Sequence, residues 1–328
     1  MTDNTSKRVI LVTGATGKQG SATIDALIAN GALDTHTLVA VTRNPASGSA
    51  KKLATRGVQL VQGDLNDVPA IFANVKKQLS GGGNNTTKVW GVFSVQVAVG
   101  RGASPESEER QGKALVDAAL AHGVAHFVYT SGDRGGEARS FSSPTKIPHF
   151  VSKYNIEHHL VDQAAAAAAA SSSSNGPAMT WTILRPVAFM ENFTPGFGTK
   201  IMATGMRVSL NGKPLQFVSA RDIGWFAAQA FLRPEAYAGR SVTLAGDELT
   251  LSDMRAVFRQ KTGRDMPETF QFVAHIVFWL SAEFGSMFRW FHDEGFGADL
   301  AALRKEHPEL QSWGDWLETE SEWVAKSK

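Results

Sequence analysis

The feature that most constrains this chain is Thr13-Gly14-Ala15-Thr16-Gly17-Lys18-Gln19-Gly20, set directly after the apolar run Val9-Ile10-Leu11-Val12. A strand, a glycine-rich turn and then a helix-compatible segment form a phosphate-binding unit. The first glycine permits a tight turn and the second lets backbone N–H groups approach a pyrophosphate. The third lets the helix pack closely on the strand. A plain strand-to-helix turn has no need of three glycines, so Gly14 to Gly20 is read as a dinucleotide cradle.

The segments that follow alternate. Strand patterns at 9–13, 37–42, 59–62, 89–95 and 127–130 are separated by helix patterns at 21–30, 50–56, 68–79 and 104–122. Ser104-Pro105, with acids after it, is a helix start, and Gly123 is a helix stop. Strands alternating with helices are βαβ units, hence a parallel sheet with right-handed crossovers. The expected fold is α/β, a Rossmann-type parallel sheet with helices on both faces and a smaller, mostly helical C-terminal substrate-side subdomain. Residues 1–190 form the nucleotide domain, completed by segments at about 215–246, while 191–214 and 247–328 form the second part. Ser80 to Asn85 (SGGGNN) reads as a surface loop. The run Ala164 to Ala170 extends a helix begun near Ser152, and Ser171 to Pro177 reads as a flexible loop.

Composition removes several chemistries. With no cysteine, disulfides, zinc-thiolate sites and thiol nucleophiles are excluded, and any redox role must run through a bound cofactor. A net charge of +2 gives no argument for nucleic acid or an anionic membrane. The polar start leads straight into a strand, so no signal peptide is expected and the chain is read as cytoplasmic, with the nucleus also open to it. The apolar stretch from Phe270 to Phe291 carries His275, Glu283 and Arg289, which argues against a membrane span and for a buried helix pair. There is no G-x-S-x-G elbow and no P-loop. His158-His159 point apart on a helix and His122 and His126 straddle Gly123, so no metal site is expected. Glu106, Glu108 and Glu109 read as partners of a helix dipole.

NAD sites carry an acid at the end of the second strand for the ribose 2′-hydroxyl. Here that position reads Thr42-Arg43-Asn44. Arg43 can grip a 2′-phosphate in two-pronged fashion, and Lys18 is either a second cation for it or a solvated loop lysine. The expected cofactor is NADP(H). Asp64, after the third strand, either accepts from an adenine amino group or caps a helix. Phe93 to Gln96 should line the ribose and pyrophosphate.

TGATGKQG, VTRNP, VQGDLND, HFVSKYNIE and ILRPVAFMENF, with RDIG at 221–224 and FGADL…HPEL in the tail, resemble the NmrA-like proteins. That family is an atypical branch of the short-chain dehydrogenase/reductase superfamily, whose relatives use the three-spaced glycine loop. The resemblance covers essentially the whole chain. It implies dinucleotide contacts at Gly14, Ala15, Thr16, Gly17, Lys18 and Gln19, at Arg43, around Asp64 and Leu65, at Gln96 and at Arg110. It further implies that Lys153 approaches the nicotinamide ribose and that Phe189, Met190, Glu191 and Asn192 close over the nicotinamide. The family includes regulators and NADPH sensors as well as oxidoreductases, so it speaks to fold and cofactor more than to activity.

A standard reductase of this fold uses Tyr-x-x-x-Lys on one helix face, the lysine charge lowering the phenol pKa. The three tyrosines, Tyr129, Tyr154 and Tyr237, are followed four residues on by Asp133, His158 and Ser241, so the pair is absent. His149 stands four before Lys153, as a general acid or as a loop residue after Pro148 without chemistry. Ser131 lies where the superfamily's catalytic serine would be, or is merely polar lining. Phe193 to Phe197 and the aromatic tail (Trp279, Trp290, Phe291) read as core or as a wall for a flat apolar substrate. Two functions stay open: an NADP(H)-dependent oxidoreductase that reduces a small hydrophobic carbonyl or enone, and a non-enzymatic NADP(H) sensor acting through a protein partner.

Overall fold

A computed structural model describes residues 7–80, 88–98, 102–171 and 178–324. The chain opens β1 (Arg8–Val12), α1 (Lys18–Ala29), α2 (Ala32–Thr35), β2 (His36–Thr42), α3 (Gly48–Ala54), β3 (Gln59–Gln62), α4 (Val68–Ser80) and β4 (Val89–Ser94). It continues α5 (Pro105–Ala121), β5 (His126–Thr130), α6 (Glu137–Ser142), α7 (Pro148–Ser171), β6 (Thr180–Pro186), β7 (Ala188–Phe189) and a 3₁₀ turn at Met190–Phe193. After α8 (Phe197–Ser209) come β8 (Leu215–Val218), α9 (Ala220–Leu232), α10 (Pro234–Tyr237), β9 (Arg240–Leu244) and β10 (Asp247–Leu249). The tail is α11 (Leu251–Thr262), α12 (Gln271–Leu280), α13 (Ala282–Asp293), α14 (Leu300–Glu306) and α15 (Trp313–Thr319).

One sheet has the order β3-β2-β1-β4-β5-β6-β9, parallel from β3 through β6. This is the expected Rossmann-type sheet. The order reverses between β1 and β4, and ligands of such sheets bind beyond the strand ends at that point. The central strands are apolar and buried on both faces, as parallel strands covered by helices must be. α5 starts as expected, with Ser104 and Ser107 capping each other's backbone and Pro105 in the first turn.

The chain divides into two compact units. Unit one comprises Met1–Ser131, Ser152–Leu184 and Ile223–Val242. Its core stacks Val9, Leu11, Val39 and Val92 of the strands against helix residues such as Ile71, Phe72, Leu115 and Ile156.

Unit two comprises Gly132–Val151, Arg185–Asp222 and Thr243–Lys328. It holds a small sheet, β10-β8-β7, and a core rich in Met, Phe and Trp. Asp133, fully buried, ties its loops together by accepting from the Gly136 and Gly297 amides and the Ser140 hydroxyl.

The alanine run prolongs α7 as expected, and Ala164 packs into the core of unit one. Of the two expected loops, residues 81–85 and 172–177 lie outside the described residues. The stretch 270–291 is a helix pair, α12 and α13. The expectation that both are buried holds for α13 and fails for α12, whose only buried residue is Ala274. Phe288 and Phe291 of α13 belong to the core of unit two, and Phe278 of α12 packs against it. Among the described residues no helix is long and apolar enough to cross a membrane.

Candidate functional site

Within unit one a cavity of about 550 Å³ opens where the sheet order reverses. Thr13, fully buried, stitches the two strand ends together. Its amide and hydroxyl both donate to the Phe93 carbonyl at 3.0 Å, and its oxygen accepts from the Val95 amide at 3.0 Å. The chain then turns at Gly14, with φ of +57°. A Cβ there would sit 2.5 Å from Val95 Cγ1. Gly17 is the N-cap of α1 and has no side chain to satisfy the first-turn N–H groups. Those donors and the positive end of the helix dipole suit an anion. Gly20 packs flat on the loop, since a Cβ there would lie 2.3 Å from the Gly14 carbonyl oxygen.

The cavity wall gathers Gly14 and Thr16 from the loop, Thr42 at the end of β2 with Arg43 and Asn44 after it, Asp64 and Leu65 after β3, and Gln96 after β4. Of the expected run 93–96, Val95 and Gln96 reach the wall. Phe93 is buried in the sheet, and Ser94 accepts from Gln96 Nε2 at 2.9 Å. That bond leaves Gln96 Oε1 without a hydrogen-bond partner among the described residues, although Gln96 is only 6% exposed. Gln96 itself lies on the cavity wall, and a buried acceptor without a partner is unusual in a folded chain.

Arg43 is exposed at the rim, its carbonyl accepting from Gln62 Nε2. Asp64 does not cap α4. Its Oδ1 accepts from the Asn66 backbone and side-chain nitrogens at 2.8 and 2.9 Å, and Asp67 takes the capping role by accepting from the Ala70 amide. Lys18 stands in the first turn of α1 and not in the loop, because the helix begins directly after Gly17, and it is not on the cavity wall. Ala15 is buried, and Gln19 accepts from the Thr130 hydroxyl at 2.5 Å. Arg110 is likewise off the wall and donates to Asn66. The neighbouring Gln111, also bonded to Asn66, reaches the wall with Ser107. Gln111 and Ser107 are missed by motif reading because one sits beside the expected residue and the other looks like a pure helix cap.

The remaining candidates separate. In unit one, Lys153 on α7 is 18% exposed and its ammonium donates to Glu108, a carboxylate with no exposed surface. Glu108 also accepts from the Ser152 hydroxyl. Glu108 stands in the first turn of α5, and its carboxylate is buried against Lys153 and Ser152. Ser131 is 4% exposed and its amide donates to the Leu184 carbonyl at 2.7 Å.

In unit two, His149 lies in the first turn of α7, since Pro148 opens the helix. Its Nδ1 is 2.6 Å from Glu283 Oε1. A carboxylate there accepts the Nδ1 proton's hydrogen bond and orients the ring. Also in unit two, Met190 is fully buried in the core, and Glu191 accepts from the Ala220 amide and the Trp316 indole. Phe189 is half-buried and Asn192 exposed. Among the described residues no group of His, Cys, Asp and Glu is placed to hold a metal.

The glycine loop, the reversal-point cavity and the motifs beyond them coincide with one family model, the NmrA-like family, which matches residues 6–316. The chain belongs to the NmrA-like family. This NmrA-like chain is 26% identical over 276 residues to the NmrA-like family domain-containing oxidoreductase FrzB of a Cladobotryum species, covering 78% of this chain and 74% of that one. Triphenylmethane reductase of a Citrobacter species, solved in complex with NADP(H), superposes with a TM-score of 0.64 at 19% identity, covering 94% of this chain and 98% of that one. NmrA, a negative transcriptional regulator solved in complex with NADP, gives a TM-score of 0.64 at 18% identity over 96% of each chain. At such identities the two structures speak to the fold.

Proposed function

We propose that this chain is an NADP(H)-binding oxidoreductase that reduces a small, hydrophobic carbonyl or enone-type metabolite. The observation that carries the reading is the cavity itself, where Arg43 and no acid stands at the end of β2, beside an uncapped helix N-terminus. The cavity lies within the size range of small-molecule sites, several hundred Å³. The glycine loop offers N–H donors for a pyrophosphate, Arg43 offers a guanidinium for a 2′-phosphate, and Gln96 Oε1 offers a buried acceptor.

The bound nicotinamide would supply or accept the hydride. Lys153, held by Glu108, binds and orients the cofactor's ribose. His149, oriented by Glu283, or Ser131, or a water molecule, would supply the proton that a reduced carbonyl needs. Phe189 and Asn192 are the side chains that the 189–192 segment has left to offer the nicotinamide. The name of the Cladobotryum relative and the NADP(H) complex of the Citrobacter reductase support the oxidoreductase reading.

A second reading has its own observation. The Tyr-x-x-x-Lys pair is absent, and NmrA, of the same fold, is a regulator solved with NADP. On that reading the chain senses NADP(H) and signals through a protein partner. Calorimetry with NADPH, NADP⁺ and NADH, followed by an NADPH-oxidation screen over hydrophobic aldehydes, ketones and enones, separates the two. Turnover that Lys153→Ala abolishes supports the enzyme. Tight binding with no turnover and a different affinity for the two redox forms supports the sensor. Failure to bind either phosphorylated form overturns both.

A further inference from the structure

The surface of α12 carries an apolar stripe that the cofactor chemistry does not use. Phe272, Ile276, Trp279 and Leu280 are 61%, 49%, 81% and 71% exposed, and Phe270, just before the helix, is 74% exposed. Spacings of four, seven and eight residues put the helical four on one face. The opposite face is anchored: Ala274 is buried and Phe278 packs on Phe284 and Phe288 of α13, with ring centroids 5.9 and 5.1 Å apart. The Phe270 and Phe272 rings stack at 5.8 Å, so the outer ledge is preformed.

At 150–250 Å² for each large aromatic, the five side chains offer roughly 600 Å² of apolar surface. That is the upper limit of what monomers leave bare. Doubled across a two-fold axis it reaches about 1,200 Å², the lower bound of a stable protein–protein interface. The stripe is also suited to meet itself. No Asp, Glu, Lys or Arg occurs from Phe270 to Ala282, so two copies meet without like-charge repulsion. An antiparallel crossing centred on Ile276 sets Phe272 against Leu280 of the partner subunit and Val273 against Trp279 of the partner subunit. Such a self-complementary patch is what a two-fold interface requires. A lipid surface fits less well, because interfacial helices carry Lys and Arg on a polar face. The positions of α12 outside the apolar set are only Gln271 and His275.

We infer that α12 is a homodimer interface, two copies of this chain packing α12 on α12 about a two-fold axis through Ile276. The inference stands independently of the proposed activity. Sedimentation of the full-length protein over a concentration series should show a species of twice 35.3 kDa. Ile276→Arg should return it to the monomer with NADPH affinity and melting temperature unchanged. Because the chain has no cysteine, Ile276→Cys is a unique reporter. Under mild oxidation it should cross-link two chains in high yield, whereas a cysteine replacing the exposed Glu235 of α10, Glu235→Cys, should not. A wild-type protein that stays monomeric throughout overturns the inference. So does an Ile276→Cys chain that cross-links no faster than the Glu235→Cys control, or wild-type protein that partitions onto neutral or anionic vesicles in place of dimerising. Should Ile276→Arg misfold, the wild-type mass and the cysteine pair decide.

Discussion

Lys153 and Glu108 meet across α7 and α5, the ammonium donating to a carboxylate with no exposed surface. A buried carboxylate left without its cation is strongly destabilising, by about 3–5 kcal/mol in comparable pairs. Here the Ser152 hydroxyl holds the second oxygen, so Glu108 is a fixed anvil for the lysine. Glu108→Gln keeps the shape and removes the charge. It should lower the melting temperature by several degrees and weaken NADPH binding by about tenfold, in line with about 1.5 kcal/mol for a charge-assisted contact. Glu108→Met with Lys153→Met removes both charges and should recover the stability but not the binding. Thermal melts and calorimetry on the wild type and the two variants check this. Recovery of binding in the double variant would show that the lysine does not touch the cofactor.

Arg43 stands at the rim where other sheets of this type carry an acid. Arg43→Ala should cost NADP(H) about 1–3 kcal/mol, roughly 5- to 150-fold in affinity, and leave NAD(H) unchanged. Arg43→Asp should go further and favour NAD(H), by offering a carboxylate to the ribose 2′-hydroxyl. Titration with the four coenzyme forms is the measurement. Equal losses for the phosphorylated and unphosphorylated forms would show that the guanidinium grips something other than the 2′-phosphate.

Gly20 has no room for a side chain. A Cβ would sit 2.3 Å from the Gly14 oxygen and 2.9 Å from the Ala15 Cα, both backbone atoms that cannot swing aside. Gly20→Ala should therefore push α1 off the loop, costing on the order of 1–3 kcal/mol of stability and most of the coenzyme affinity. Gly198→Ala on α8 meets nothing within 4 Å. It should be neutral or stabilising by about 0.5–1 kcal/mol, as glycine-to-alanine changes in helices are. Parallel melts of the two variants test the contrast.

The strand–helix alternation and the glycine loop were legible because each rests on local signals: period, caps, and residues that only a tight turn demands. Arg43, Asp64 and Gln96 could be placed at the cavity because strand ends in a parallel sheet all face the same crevice. What stayed hidden is what depends on which face of a helix turns inward. Glu108 reads as one of three first-turn acids, yet it alone is fully buried, because α7 brings Ser152 and Lys153 over it. Asp64 and Asp67 are three residues apart, and only the backbone path decides which one caps α4. The bare face of α12 was illegible for a further reason. Its composition is that of a core helix, and only the structure shows that Ala274 alone of its residues is buried.

His126 sets a pH limit on the fold. It lies on β5 with 1% of its surface exposed, its ring edge-on to Phe231 and Nδ1 2.8 Å from the Thr180 hydroxyl. Burial pushes its pKa down from 6.5 to about 4. Between those values the unfolded chain binds a proton that the folded chain refuses, so stability rises with pH across that window. The contribution of the neutral ring is fully present above pH 6.5 and is lost as pH falls toward 4. At 1.36 kcal/mol per pH unit the whole shift amounts to about 3 kcal/mol, of which roughly 2 are gone by pH 5. His36, also lowered by burial and by the nearby Arg8 charge, adds in the same direction. Urea unfolding of the wild type should show this fall between pH 7.5 and 5. His126→Asn, which keeps a polar partner for Thr180 and cannot titrate, should start less stable and fall less steeply. Parallel curves for the two proteins would mean that His126 is not the group whose protonation opens the sheet.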